Sequence, residues 1–162
     1  MKKNKNRSTP VLPGTKSGRC PYCGSPIIFR SADGIYKNSG SGTMLYVCAR
    51  YPACDSYVRA LPGSKTPVGS LANGPLRALR REAHECFDEL HLTGIMSRSE
   101  SYEWLACVLQ APLSEAHIGN FGKYFCRRVI EESKQLLENR RKVHGDYPQQ
   151  KKPQGSDNCA TG

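Results

Sequence analysis

Cys20-Pro-Tyr-Cys23-Gly24 and Cys48-Ala-Arg-Tyr-Pro-Ala-Cys54 constrain this chain more than anything else in it. Two short-spaced cysteine pairs, about two dozen residues apart, can bring four thiolates to one tetrahedral zinc. The competing use of paired cysteines, as disulfides, needs an oxidising compartment. The basic start Met1-Lys2-Lys3-Asn4-Lys5 leads into no apolar stretch, so no secretory signal is expected there. The cysteines are therefore expected as reduced thiols or metal ligands in a cytoplasmic protein. Gly24, directly after the second ligand, suits a tight turn whose backbone N–H groups point at sulfur and steady its charge. The second pair has five intervening residues, wider than the commonest spacing of roughly two to four. Four protein ligands close the coordination sphere, so the expected cofactor is one structural Zn2+.

Charge is the second constraint. Of the net +10, residues 1–65 carry +9, with eleven Lys/Arg against Asp33 and Asp55, and the remaining residues carry +1. A concentrated positive field attracts polyanions. No run of about 18 apolar residues is present, so no membrane partner is expected. That leaves nucleic acid as the expected partner, with DNA over RNA implied only by the resemblance given below; the bland alternative is a solubilising face with a basic tail.

The expected fold class is small α+β: an N-terminal β zinc ribbon followed by a C-terminal three-helix unit, with flexible termini. Residues 1–18 offer almost nothing to bury and read as a disordered basic arm. Residues 19–62 form the C4 zinc ribbon, with strands at Ile27-Ile28-Phe29 and Met44-Leu45-Tyr46-Val47 and a Gly/Ser loop at 38–42 between them. Residues 63–74, rich in Pro and Gly, read as a linker. Residues 75–143 form the helical domain, and 144–162 a disordered tail.

Three helices are expected in that domain. Leu76, Leu79, Ala83, Cys86, Phe87 and Leu90 recur at spacings of three and four, and Pro75 fits a first helical turn. Ser97-Arg98-Ser99-Glu100 is a capping-box pattern for a second helix with Tyr102, Leu105, Val108 and Leu109 inward, stopped by Pro112. After a short turn at 114–119, Phe125, Cys126, Val129, Ile130, Ser133, Leu136 and Leu137 mark a third helix over about 121–141. Cys86, Cys107 and Cys126 read as core thiols, and Cys159 as unligated.

The motif Cys20-Pro-Tyr-Cys23-Gly24 with Tyr46-Val47-Cys48-Ala49-Arg50-Tyr51-Pro52-Ala53-Cys54 resembles the C4 zinc ribbon of bacterial type I topoisomerase C-terminal regions. That resemblance covers about 40 residues and implies Cys20, Cys23, Cys48 and Cys54 as ligands of a DNA-binding ribbon; the topoisomerase catalytic region is absent. The ribbon together with Leu71-Ala72-Asn73, Leu76-Arg77, Arg80, Ala83-His84, Phe87-Asp88, Tyr102-x-Trp104-Leu105-Ala106 and His117-Ile118-Gly119 resembles the phage and prophage proteins called zinc-finger-containing domain proteins. It implies this architecture and a mobile-element origin.

For nucleic acid, Arg30, Lys37, Arg50 and Arg59 are the expected phosphate contacts, with Tyr36 and Tyr46 stacking on unpaired bases. Tyr51 is expected to pack beside the second cysteine pair. Two other readings stay open. A ribbon of this kind also suits an adaptor that docks on a host protein such as a polymerase or nuclease. His84 and Asp88, one turn apart, with His117 elsewhere, suit an acid–base or second metal site. No zinc-deaminase, HExxH, P-loop or nucleophile-elbow motif occurs, so a non-catalytic binder with single-strand or junction preference is the expectation.

Overall fold

The structure, a computed structural model of the chain, describes residues 12, 13, 15, 18–37 and 42–144. The expected arm before Leu12, most of the Gly/Ser loop and the tail after His144 lie outside the described residues, as does Cys159.

Three antiparallel strands, β1 (Ile27–Ser31), β2 (Met44–Cys48) and β3 (Tyr57–Arg59), form one sheet in that order. Cross-strand partners include Phe29 with Tyr46, Arg30 with Leu45, and Leu45 with Arg59. Side chains alternate between faces along each strand. On one face Ile27, Tyr46, Cys48 and Val58 are buried with Leu12, Ala60 and Leu71. On the other, Leu45 and Val47 are buried with Ala32 under Ile35, Tyr36, Tyr51 and Tyr57. Tyr51 lies between Cys48 and Cys54 in the chain, but it packs on this face and not on the opposite one with the cysteines, where the sequence reading places it.

Two segments differ from the sequence expectation. Leu12, within the expected basic arm, is only 2% exposed, because its side chain closes the zinc-bearing face of the sheet. The 63–74 segment is a strap instead of a free linker. It pairs Pro67 with Ala60 and Ala72 with Tyr57, and it buries Leu71 and Ala72. A Pro/Gly-rich composition excludes a regular element but not packing, and the strap covers an otherwise open sheet edge.

The helices are α1 (Gly74–Leu92), α2 (Arg98–Leu109) and α3 (Lys123–His144), with short 3-10 turns at Leu113–Glu115 and Ile118–Asn120. Asn73 caps α1 by accepting from the Leu76 N–H at 3.1 Å. Ser97 and Glu100 form the capping box of α2. Leu76, Ala83, Phe87, Leu90, Leu105, Leu109, Cys126, Val129, Ile130 and Leu137 make the helical core. Cys126 is buried and Cys86 half-buried, but Cys107 is exposed, one position off the inward stripe of α2. None of the described helices is long and apolar enough to cross a membrane.

Arg80 explains how the helices meet the ribbon. It is a charged residue in the stripe that α1 buries, and every donor group it turns inward finds oxygen. Nε donates to the Phe121 carbonyl at 2.9 Å, Nη1 to the Ser70 carbonyl at 2.7 Å and Nη2 to the Ser70 hydroxyl at 2.6 Å. One side chain thereby ties strap, α1 and the turn before α3 together. Beside it the strap and the second 3-10 turn meet at two glycines: a Cβ on Gly69 would stand 2.2 Å from the Gly119 carbonyl oxygen.

Candidate metal centre and the basic face beside it

The first cysteine pair lies in a tight turn. The Cys20 N–H donates to the Ser25 carbonyl at 2.8 Å and the Gly24 N–H to the Cys20 carbonyl at 2.9 Å. Gly24 has φ +72°, a conformation that costs glycine little. The second pair spans the end of β2 and a knuckle, where Tyr51 N–H donates to the Cys48 carbonyl at 3.0 Å and Cys54 N–H to the Arg50 carbonyl at 3.1 Å. The knuckle accounts for the five-residue spacing.

These turns bring the four Sγ atoms within 4.8 Å of one another. Cys23 and Cys48 are 3.3 Å apart, and Cys20 and Cys54 3.7 Å. A tetrahedral zinc with Zn–S near 2.3 Å spaces its sulfurs by about 3.8 Å, so the cluster has the required size. No disulfide joins the described cysteines.

The surroundings serve thiolates. Hydrogen bonds from the Ser25 hydroxyl and backbone N–H, with a smaller one from Cys48, hold Cys23 down to about 6. Burial pushes Cys48 up to about 12, against the Arg50 N–H that points at its sulfur from 3.5 Å. The tight turn at Gly24 turns the Ser25 N–H to sulfur, as expected, while the Gly24 N–H itself goes to the Cys20 carbonyl; Arg50 gives the corresponding N–H to Cys48. Ser56, fully buried, lies 3.3 Å from Cys54 Sγ. Four sulfurs crowded in this way ionise together only around a cation. Cys20, Cys23, Cys48 and Cys54 hold one structural zinc, with no position left open for substrate.

The residues expected to meet nucleic acid divide. Arg30, Lys37, Arg50 and Arg59 are exposed, and Tyr36 is half-buried. Arg30 and Arg59 both pair with Leu45, from opposite sides, so they share one sheet face with Tyr57. Tyr46 is a correction. It is 1% exposed, its ring lies 4.8 Å from that of Phe29, and its hydroxyl donates to the Lys65 carbonyl at 2.6 Å, so it has no face for a base. β2 is the central strand and buries both faces, so alternation could not tell its inward side from its outward one.

Docking of α1 enlarges the basic face. Arg77 lies 3.7 Å over the Tyr57 ring, and Arg77, Arg80, Arg81 and His84 line one cavity of about 330 Å3 with Tyr36, Tyr57 and Arg59. The Arg77, Arg81, His84 stripe is visible in the sequence, but nothing there says that it faces the ribbon. A second cavity, of about 570 Å3, brings together His84, His117, Tyr102 and Arg59. His84 and His117 thus share a cavity although a helix and a 3-10 turn separate them in the chain. Burial holds the His84 imidazole below its ordinary value, with Asp88 opposing and Arg80 reinforcing the shift.

No curated protein and no solved structure matches this chain. The model of the zinc-finger-containing domain matches residues 16–136, about three quarters of the sequence, spanning the cysteine cluster, the strap and most of the helices. On that match the chain belongs to the zinc-finger-containing domain family.

Proposed function

We propose that this is a non-catalytic nucleic-acid-binding protein of phage or prophage type, with DNA as its partner and a preference for single strands or junctions. The observation that carries the reading is the convergence of Arg30, Arg59, Tyr57 and Tyr36 on one sheet face with Arg77 and Arg81 of α1 beside it. Among the described residues, neither Arg59 nor Arg81 has a carboxylate partner. Unpaired guanidinium groups neutralise phosphates whatever the sequence, and tyrosines add sequence-tolerant stacking. The zinc holds β1 and β2 in register and so fixes the spacing of these groups. A reducing, cytoplasmic setting belongs to the same reading, supported by cysteines gathered as thiols at one centre.

Charge reversal tests it. In zinc-loaded protein, Arg30→Glu with Arg59→Glu is expected to weaken binding of a single-stranded DNA oligonucleotide by tenfold or more, with zinc content unchanged; unchanged affinity sinks the reading.

A host-protein partner is the second reading. Leu113 is 54% and Tyr124 67% exposed beside a cavity of about 510 Å3 lined by Leu109, Ala111, Phe121 and Phe125. A complex that survives nuclease treatment and is lost in Tyr124→Ser would favour it.

A further inference from the structure

The two cavities beside the ribbon adjoin. Both are lined by Arg59, Val68, Gly69, His84 and Gly119, so they neighbour each other where the strap crosses the second 3-10 turn. We propose that they act as one cleft that seats a single unpaired nucleotide of a bound DNA strand, its phosphate between Arg59 and Arg81 and its base toward Tyr102 and His117. The inference rests on the nucleic-acid reading and names the part of the ligand that enters.

Shape and chemistry carry it together. The floor is bare backbone, because Gly69 and Gly119 approach too closely for either to carry a side chain: a Cβ on Gly119 would stand 2.9 Å from the Val68 carbonyl oxygen. Volumes of about 330 and 570 Å3 lie in the range of small-ligand sites, roughly 300–1,000 Å3. A duplex is too wide to enter such a recess, whereas an unstacked nucleotide fits it.

The two ends of the cleft differ. At the Tyr57 end, Arg77 already covers one face of the ring from 3.7 Å and the Tyr36 ring makes an edge contact with Tyr57 at 5.8 Å, so part of the stacking surface there is already taken. The other end has Tyr102, Val68 and Ile118 as apolar walls, with His117 exposed and without a hydrogen-bond partner for its side chain among the described residues. That combination suits a base, which needs flat apolar contact and an edge to bond. The junction between the ends has Arg59 and His84, with Arg81 next to it in the smaller cavity. A phosphate there meets two guanidinium groups that lack carboxylate partners.

The test uses the zinc-loaded full chain and three probes: dAMP, inorganic phosphate and a single-stranded DNA oligonucleotide. Backbone amide shifts are followed by NMR for the first two, and oligonucleotide affinity by fluorescence anisotropy. dAMP is expected to move the Val68, Gly69 and Gly119 amides saturably, with phosphate weaker. Arg81→Ala is expected to weaken dAMP about tenfold, the loss of one charge-assisted contact. His117→Ala is expected to weaken dAMP while leaving phosphate unchanged. No dAMP shifts at those amides, or phosphate acting as strongly as dAMP, would overturn the inference. If the oligonucleotide still binds in that case, the nucleic-acid reading stands and only the cleft is wrong. If the oligonucleotide fails to bind, that reading falls and takes the inference with it, whatever dAMP does.

Discussion

Asp55, the residue after the last zinc ligand, accepts hydrogen bonds from the Gly74 N–H at 2.8 Å and from Arg77 Nη2 at 3.2 Å. The metal knuckle therefore holds the first turn of α1 directly, placing a carboxylate where the helix has unpaired N–H groups and a positive end. Arg77 Nη1 completes the joint by donating to the Asp55 and Ala72 carbonyls, both at 2.6 Å.

Removing that carboxylate should loosen the joint without touching the zinc. Asp55→Ala loses a capping bond and an ion pair whose side chains are 23% and 46% exposed, Arg77 first. Exposed pairs contribute little, so most of the effect is the cap, and the cost is about 1–2 kcal/mol in urea denaturation. Asp55→Asn keeps an acceptor for Gly74 and should recover part of it. Equal stability of the alanine variant and the parent would show that the joint does not hold the helix.

Gly69→Ala is expected to be worse. Its new methyl would stand 2.2 Å from the Gly119 oxygen and 2.7 Å from the Gly119 carbonyl carbon, both backbone, so strap and turn must separate. Overpacking of this kind costs about 1–3 kcal/mol, here at the upper end. Gly122→Ala, which meets nothing within 4 Å, is the control and should stay within about 1 kcal/mol. Thermal denaturation of the two variants side by side checks the difference.

The capping box of α2 predicts a pH effect with a definite sign. The Ser97 N–H donates to Glu100 Oε2 at 2.6 Å, and bonds from Ser97 hold the Glu100 carboxyl below its ordinary value of 4.5. A carboxylate lowered by folding stabilises the protein above its unfolded value and loses that contribution as pH falls through the folded one. The gap in melting temperature between the parent and Glu100→Ala should therefore be constant near neutrality and close below 4.5. Both chains carry the same zinc site, so its own acid sensitivity cancels in the comparison. A gap independent of pH would mean that the carboxylate is idle.

What the sequence reveals here is what depends on neighbours along the chain. The cysteine pairs fix the zinc site because ligand chemistry needs only residue type and spacing, and Pro75, the Ser97–Glu100 pattern and Pro112 mark helix ends by local geometry. β3 escapes notice because three residues are too few for alternation to show. The burial of Leu12, the strap at 63–74 and the loss of Tyr46 as a contact residue come from packing partners distant in sequence. The cleft is less legible still. Arg59, His84 and His117 meet only because Arg80 and the Gly69–Gly119 contact fix how the two halves dock.

The most direct measurement of the central claim is a fluorescence-anisotropy titration of zinc-loaded protein against matched single- and double-stranded DNA at two salt concentrations. Several arginines engaging phosphates predict micromolar or tighter binding that weakens steeply with salt, and tighter binding to the single strand. No binding at the lower salt would contradict the account and move the search to protein partners at the Leu113–Tyr124 surface.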